Sequence, residues 1–98
     1  MKIEILASAS QDLLDGRAFY ERRRPGLGSY FLDSLFADID SLLLYAGTHE
    51  VHFEHYYRLL ARRFPYAVYY RIDGEIVRVY AVLDCRRDPD WIAERMSG

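Results

Sequence analysis

The tightest constraint in this sequence is Asp73-Gly74, set between two runs rich in β-branched and aromatic residues, 64–72 and 75–83. An Asp-Gly link between such runs is a strong short-range hairpin signal, because both residue types accept the left-handed backbone a tight turn needs. With Asp73-Gly74 as the loop, Ile72 faces Glu75, Tyr70 faces Val77, Val68 faces Val79, Tyr66 faces Ala81 and Phe64 faces Leu83. That face is almost wholly apolar and must be covered. The other face carries Ala67, Tyr69, Arg71, Ile76, Arg78 and Tyr80, which sets two arginines among tyrosines on a sheet surface open to solvent.

The cover lies upstream. Lys2–Leu6 alternates as a short strand. Ser8 and Gln11 then fit a capping box ahead of Leu13, Leu14, Ala18, Phe19 and Tyr20 at helical spacing. Arg22–Arg24 suit the negative end of that helix, and Pro25-Gly26 stops it. A second helix spans about Leu27 to Ala46 on the stripe Leu27, Phe31, Leu35, Ile39, Leu42 and Ala46, and Gly47 ends it. Tyr56–Ala61 adds a further strand. Asp88-Pro89-Asp90 opens a terminal helix over Trp91–Met96, with Asp88 as its cap and Pro89 first in the helix. The predicted fold is α+β, a two-helix hairpin packed on a small antiparallel sheet in the order β-α-α-β-β-β-α, one domain over residues 1–98.

Composition removes several classes. A chain of 98 residues, 51% hydrophobic, can bury one core without staples. Its single cysteine cannot form an internal disulfide, which points to a reducing compartment. The longest apolar run, Leu42–Ala46, is far short of the ~20 residues of a membrane span. The start, MKIEILASASQD, lacks the apolar stretch of a signal peptide, so the expected location is cytoplasmic, with no membrane partner. Phosphate-loop, dinucleotide and paired-cysteine motifs are absent, and no cofactor is expected.

His49, His52 and His55 form an H-x-x-H-x-x-H repeat that invites a zinc reading. On a helix the outer two would stand ~240° apart, which prevents easy convergence on one ion; the alternative is a solvated connector, and no metal is expected. Cys85 has no histidine near it in sequence and reads as a packing thiol.

The net charge of −2 hides an asymmetry. Residues 1–55 hold five basic and nine acidic side chains, a net of −4; residues 56–98 hold eight and six, a net of +2. Twelve of the thirteen basic residues are arginine, whose planar fork matches carboxylate and phosphate and stacks on rings. The basic and aromatic set is Arg58, Arg62, Arg63, Tyr69, Arg71, Arg78, Tyr80, Arg86 and Arg87. Such a set can grip phosphates and stack bases, or bind an acidic disordered peptide, and spacing alone leaves both open.

Three segments together, FYERRRPGLGSYFLDSL (19–35), YYRLLARRFPYAVYYRIDGEIVRVYAVL (56–83) and CRRDP (85–89), resemble the RelE/ParE toxin superfamily over nearly the whole chain. The resemblance implies a toxin of a type II toxin–antitoxin pair, of the plasmid-stabilisation kind, that inhibits growth and is neutralised by a cognate antitoxin. It also implies a helix hairpin packed on an antiparallel sheet.

The superfamily's RelE branch cuts messenger RNA on the ribosome, using basic side chains on the second and third strands, an arginine after the last strand and a C-terminal tyrosine. Here the second-strand positions fall on Arg58 and Leu60, the third-strand arginine falls on Ala67, and Arg87 follows the last strand. The terminal helix offers Trp91 but no tyrosine. Attack of a 2′-hydroxyl on phosphate needs a base, charge stabilisation and a leaving-group acid, and two of the main positions are emptied. These departures favour the ParE branch, which poisons DNA gyrase and needs no nuclease site. Arg58 and Arg87 are then the catalytic candidates only of an endoribonuclease alternative with ribosome and mRNA as partners. Arg63, Tyr69, Arg71, Arg78, Tyr80, Arg86 and Trp91 are candidates for contact with target or antitoxin. A decayed toxin kept as an antitoxin-binding regulator is the third reading.

Overall fold

Ile3 and Ile5 alternate with Lys2 and Glu4 and form β1, Lys2–Ile5, in a computed structural model that describes residues 1–97. The chain then enters α1, Ala7–Arg23, and α2, Leu27–Asp40. Their apolar stripes, with Leu13 and Tyr20 on one helix and Phe31, Leu35 and Ile39 on the other, meet the sheet as one buried cluster. The helices approach closely because two crossing positions lack side chains. A Cβ on Gly16 would lie 2.5 Å from the Phe31 ring, and one on Gly28 would lie 2.7 Å from the Arg17 carbonyl oxygen. The Glu21 carboxylate braces the turn between them, accepting the Gly26 and Gly28 N–H groups at 3.0 and 2.9 Å. Those two donors hold its carboxyl below the usual range.

The expected second helix is interrupted at Ser41, whose hydroxyl donates to the Asp38 carbonyl at 2.6 Å. The chain continues as the short α3, Leu42–Tyr45. The strands β2 (Glu50–His52), β3 (Tyr56–Leu60), β4 (Tyr66–Asp73) and β5 (Ile76–Asp84) follow, and α4, Pro89–Ser97, closes the described chain. The β-α-α-β-β-β-α frame is therefore present, with α3 and β2 added. The sheet runs β1-β5-β4-β3-β2; β1 lies parallel to β5 and the remaining pairs are antiparallel.

The β4–β5 hairpin exists, but its register differs from expectation. Asp73 pairs with Ile76, so Gly74-Glu75 make the loop and Tyr70 opposes Val79. A bulge then intervenes: Tyr69 opposes Ala81, and Tyr80 is the unpaired extra residue. Beyond it Val68 meets Val82 and Tyr66 meets Asp84. Ala81 and Leu83, expected under the helix hairpin, turn to the opposite face. There they join Ala67 and Tyr69 beneath Ile92 and Met96 of α4. The second face is thus not wholly open: α4 covers one half of it.

The bulged strand has an unprotected edge where β1 ends, and α1 saturates it. Leu6 N–H donates to Val79 O at 3.0 Å, and Ser8 Oγ donates to Tyr80 O at 2.9 Å. The Asp12 carboxylate, one turn further along α1, accepts Val82 N–H at 3.0 Å. Ser8 therefore stitches helix to sheet instead of capping the helix, which begins after Leu6 with no side-chain cap. Asp12 also accepts both Arg95 amino groups, at 2.9 and 2.7 Å, and so fastens α4. Asp88 caps that helix as expected, accepting Asp90 N–H at 2.9 Å.

Only 9% of the Asp12 side chain is exposed. Asp12→Ala leaves a strand N–H and a guanidinium without their partner, which should cost about 2–3 kcal/mol. Urea unfolding measures the loss, and amide exchange should speed up selectively across residues 89–97.

Candidate functional site

The expected contact residues divide into three settings. On the uncovered half of the second sheet face, Arg71 stands opposite Arg78. Arg78 is not free: it donates to Asp73 at 2.7 Å and to Glu4 at 3.3 Å, on the strands β4 and β1 that flank its own. Arg71 makes no ion pair among the described residues. Tyr80, displaced by the bulge, meets the Tyr56 ring edge-on at 5.3 Å.

Beneath α4 lies the second setting. Tyr69 is 4% exposed, so it supports α4 and is closed to a partner, contrary to its expected place on an open face. Burial pushes its hydroxyl pKa up, with Arg58 acting the other way. Arg58 stands opposite Tyr69 in the ladder, and its Nε is buried without a hydrogen-bond partner among the described residues. Ala67 is fully packed here, while Leu60 is exposed on the same strand pair. Cys85 is exposed, not packed as expected, and desolvation raises its thiol, so it offers little thiolate.

The third setting is a cleft of about 400 Å³ between α1 and α4, lined by Asp12, Phe19, Arg22, Tyr66, Arg87 and Trp91 among others. The Arg87 guanidinium lies 3.7 Å above the Trp91 ring, and Arg23 lies 4.5 Å above Phe19. Arg86 is clamped on both Asp84 oxygens at 3.0 and 2.8 Å, which holds that carboxyl below its usual range against the desolvation around it. The same Nη2 that donates to Asp84 Oδ2 also reaches Tyr20 Oη at 3.5 Å. Burial pushes the Tyr66 hydroxyl up to about 12, so it remains protonated and is no ready base.

Arg58 and Arg87 thus serve different surroundings, one beside Tyr69 and Cys85, the other over Trp91. Sequence reading missed the weight of Arg22–Arg24, taken as helix-end charges. The three arginine runs in the chain, 22–24, 62–63 and 86–87, all lead to the Tyr20 ring. Phe64, next to Arg63, packs on that ring at 4.8 Å, and Arg86 touches its hydroxyl.

A family model described as ParE toxin of the type II toxin–antitoxin system, parDE, matches residues 3–89. The chain belongs to the ParE toxin family. Its family is that of the toxins of type II toxin–antitoxin systems. A solved structure described as a chromosomal ParDE TA system from P. aeruginosa shares the fold, with a TM-score of 0.77 and 15% identity. The similarity covers 84% of this chain and 92% of that one. No curated protein sequence matches significantly. Among the described residues of this ParE-family chain, no helix is long and apolar enough to cross a membrane.

The histidine repeat does not converge. His52 pairs with Glu50 at 3.2 Å, and His55 is exposed 4.0 Å from Glu54. No group of metal-holding side chains forms among the described residues. His49 instead contacts the hydroxyl of buried Tyr70, which accepts Gly47 N–H at 3.0 Å. That hydroxyl can donate to Nδ1 only while the imidazole is neutral.

Burial holds His49 below its ordinary 6.5. Between the folded and unfolded values the unfolded chain binds more protons, so stability rises with pH there. The His49 contribution is complete above about 6.5 and is lost as pH falls through the folded value. Urea midpoints measured from pH 7.5 to 5 should therefore fall in the native protein, and His49→Gln should flatten that part of the fall.

Proposed function

We propose that this chain is a growth-inhibiting toxin that acts by binding, with DNA gyrase as its target, and that a cognate antitoxin neutralises it. The observation that carries the reading is the environment of the two residues a nuclease would need. Arg87 is stacked on Trp91, Arg58 faces Tyr69, and the third-strand position between them holds Ala67 packed under α4. A guanidinium stays protonated and makes a poor base, and Tyr66 and Tyr69 are both pushed upward. Stabilisation without a base gives little phosphoryl chemistry. Binding needs no base. On this reading Arg71, Arg78, Tyr80 and Trp91 are target contacts, supported by their position on the uncovered sheet half and the cleft wall.

The antitoxin reading rests on apolar side chains left outside the core. Phe36 on α2 and Leu43, Leu44 and Tyr45 on α3 are exposed, Leu44 by 81%. Val51 on the outer strand β2 is exposed as well. An amphipathic segment that orders on binding would bury these positions and add to the strand edge.

Tightly controlled expression in a bacterium, with pulse labelling of DNA and protein synthesis over the first minutes, tests the target. DNA synthesis should fall first with a rise in a DNA-damage reporter, and the purified chain should inhibit gyrase supercoiling. Protein synthesis falling first, with new transcript ends lost in Arg87→Ala, would instead establish the ribonuclease. An unaffected culture combined with tight antitoxin binding would leave the regulatory role.

A further inference from the structure

The arginines are distributed more unevenly in space than in sequence. Seven of the twelve lie in the runs 22–24, 62–63 and 86–87, and all seven are exposed. The runs sit on three different segments: the last turn of α1, the β3–β4 turn and the β5–α4 turn. The ring of Tyr20 joins them. It packs against Phe19, over which Arg23 lies, and against Phe64 beside Arg63, and its hydroxyl meets Arg86.

Acidic groups near this pole are hydrogen-bonded, and Asp15, in the cleft with Arg22 and Arg87, accepts Gln11 Nε2 at 2.9 Å. Glu21 is held by the Gly26 and Gly28 N–H groups, buried Asp38 accepts Arg62 N–H, and Asp84 is clamped by Arg86. Among the described residues, Arg22, Arg23, Arg24, Arg62, Arg63 and Arg87 make no ion pair. Seven arginines stand there against the carboxylates of Asp15, Glu21, Asp38 and Asp84, so a chain of net charge −2 carries a pole with an excess of three positive charges.

We propose that this pole is a docking surface for the phosphate backbone of duplex DNA, bound without regard to sequence. Three features favour that ligand. Arg23 and Arg87 are braced over the faces of Phe19 and Trp91, which orients the guanidiniums and leaves their N–H groups free for phosphate oxygens. Single-stranded nucleic acid is held largely by stacking on exposed rings. Here Tyr20 and Tyr66 are each only 8% exposed, and guanidiniums lie over Phe19 and Trp91. An acidic peptide that folds on binding needs apolar surface beside the charges. The pole's aromatic rings pack on one another, whereas Phe36, Leu43 and Leu44 are exposed on α2 and α3. Tyr30, 49% exposed against Phe64, is one open ring beside seven arginines, and that excess of charge over stacking surface matches a duplex backbone.

The test uses the purified full-length chain, separated from any antitoxin, and a fluorescent 30-base-pair duplex of arbitrary sequence. Anisotropy titrations at stepped salt should give a log–log slope of roughly −3.6 to −5.4, as expected for four to six neutralised phosphates. Arg24→Gln, Arg63→Gln and Arg87→Gln should each weaken binding at every sequence tried and make the slope shallower by about one. Arg17→Gln, exposed on α1 outside the three runs, should change neither. Thermal melting confirms that each variant is folded.

A 30-nucleotide single-stranded RNA should bind at least tenfold more weakly than the duplex; equal or tighter binding overturns the duplex assignment. Displacement of the duplex by poly-glutamate at equal charge concentration overturns it in favour of an acidic-peptide surface. A salt slope unchanged across the three variants places the contact elsewhere and also overturns it. The assay contains neither gyrase nor growing cells, so the target reading and this one fail independently.

Discussion

One carboxylate connects the parts of this molecule. Asp12 sits on α1, accepts the amide of Val82 on the free edge of β5, and holds Arg95 of α4 by both amino groups. The helix hairpin lies on one sheet face and α4 on the other, so this contact joins layers that the sheet would otherwise separate. It also answers a requirement set by the bulge. Once Tyr80 leaves the ladder, the β5 edge beyond β1 exposes amide and carbonyl groups, and such an edge invites pairing with another chain. Ser8 and Asp12, one helical turn apart, supply a donor and an acceptor for that edge.

The layered fold was legible because its signals are local. Alternating residues, two helical stripes, Pro25-Gly26 and Asp73-Gly74 are written in adjacent positions; each marked its element, although the second helix breaks at Ser41 and the hairpin turns one residue later, at Gly74-Glu75. Misses arose where a distant group decides. Nothing in 75–83 marks Tyr80 as a bulge; its carbonyl partner, Ser8, is 72 residues away. The β2–β3 turn escaped notice because Phe53 and Glu54 take the left-handed backbone, where asparagine or glycine would have signalled it. Alternation correctly put Tyr69 on the face opposite the helix hairpin, yet could not say that α4 would close over it.

The candidate surface was legible in residue type and not in grouping. Arginines with tyrosines mark recognition, but Arg78 is tied to Glu4 and Asp73 by strand pairing that the sequence conceals. Conversely, Arg22–Arg24 read locally as helix-end charges and joined the other runs only through ring packing around Tyr20. The structure separates three kinds of surface: a positive pole, an apolar flank on α2 and α3, and a hollow of about 700 Å³ near α4 whose lining includes Glu54, Asp90 and Glu94. Surfaces of three different chemistries thus occupy different parts of this small ParE-family chain.

The parallel pairing of β1 with β5 has a consequence for the order of assembly. Lys2 lies opposite Ile76 and Ile5 opposite Val79, and Asp12 needs both Val82 and Arg95. Residues 2–12 are thus completed by partners made some seventy positions later. A helix hairpin can form on the growing chain, but its apolar stripe has no finished sheet to cover until residues beyond 80 emerge. Chains halted earlier lack both the last strand and the α4 clamp. Synthesis itself therefore acts as a clock for a fold of this kind: the sheet and the α4 clamp wait for residues 76–95 to emerge.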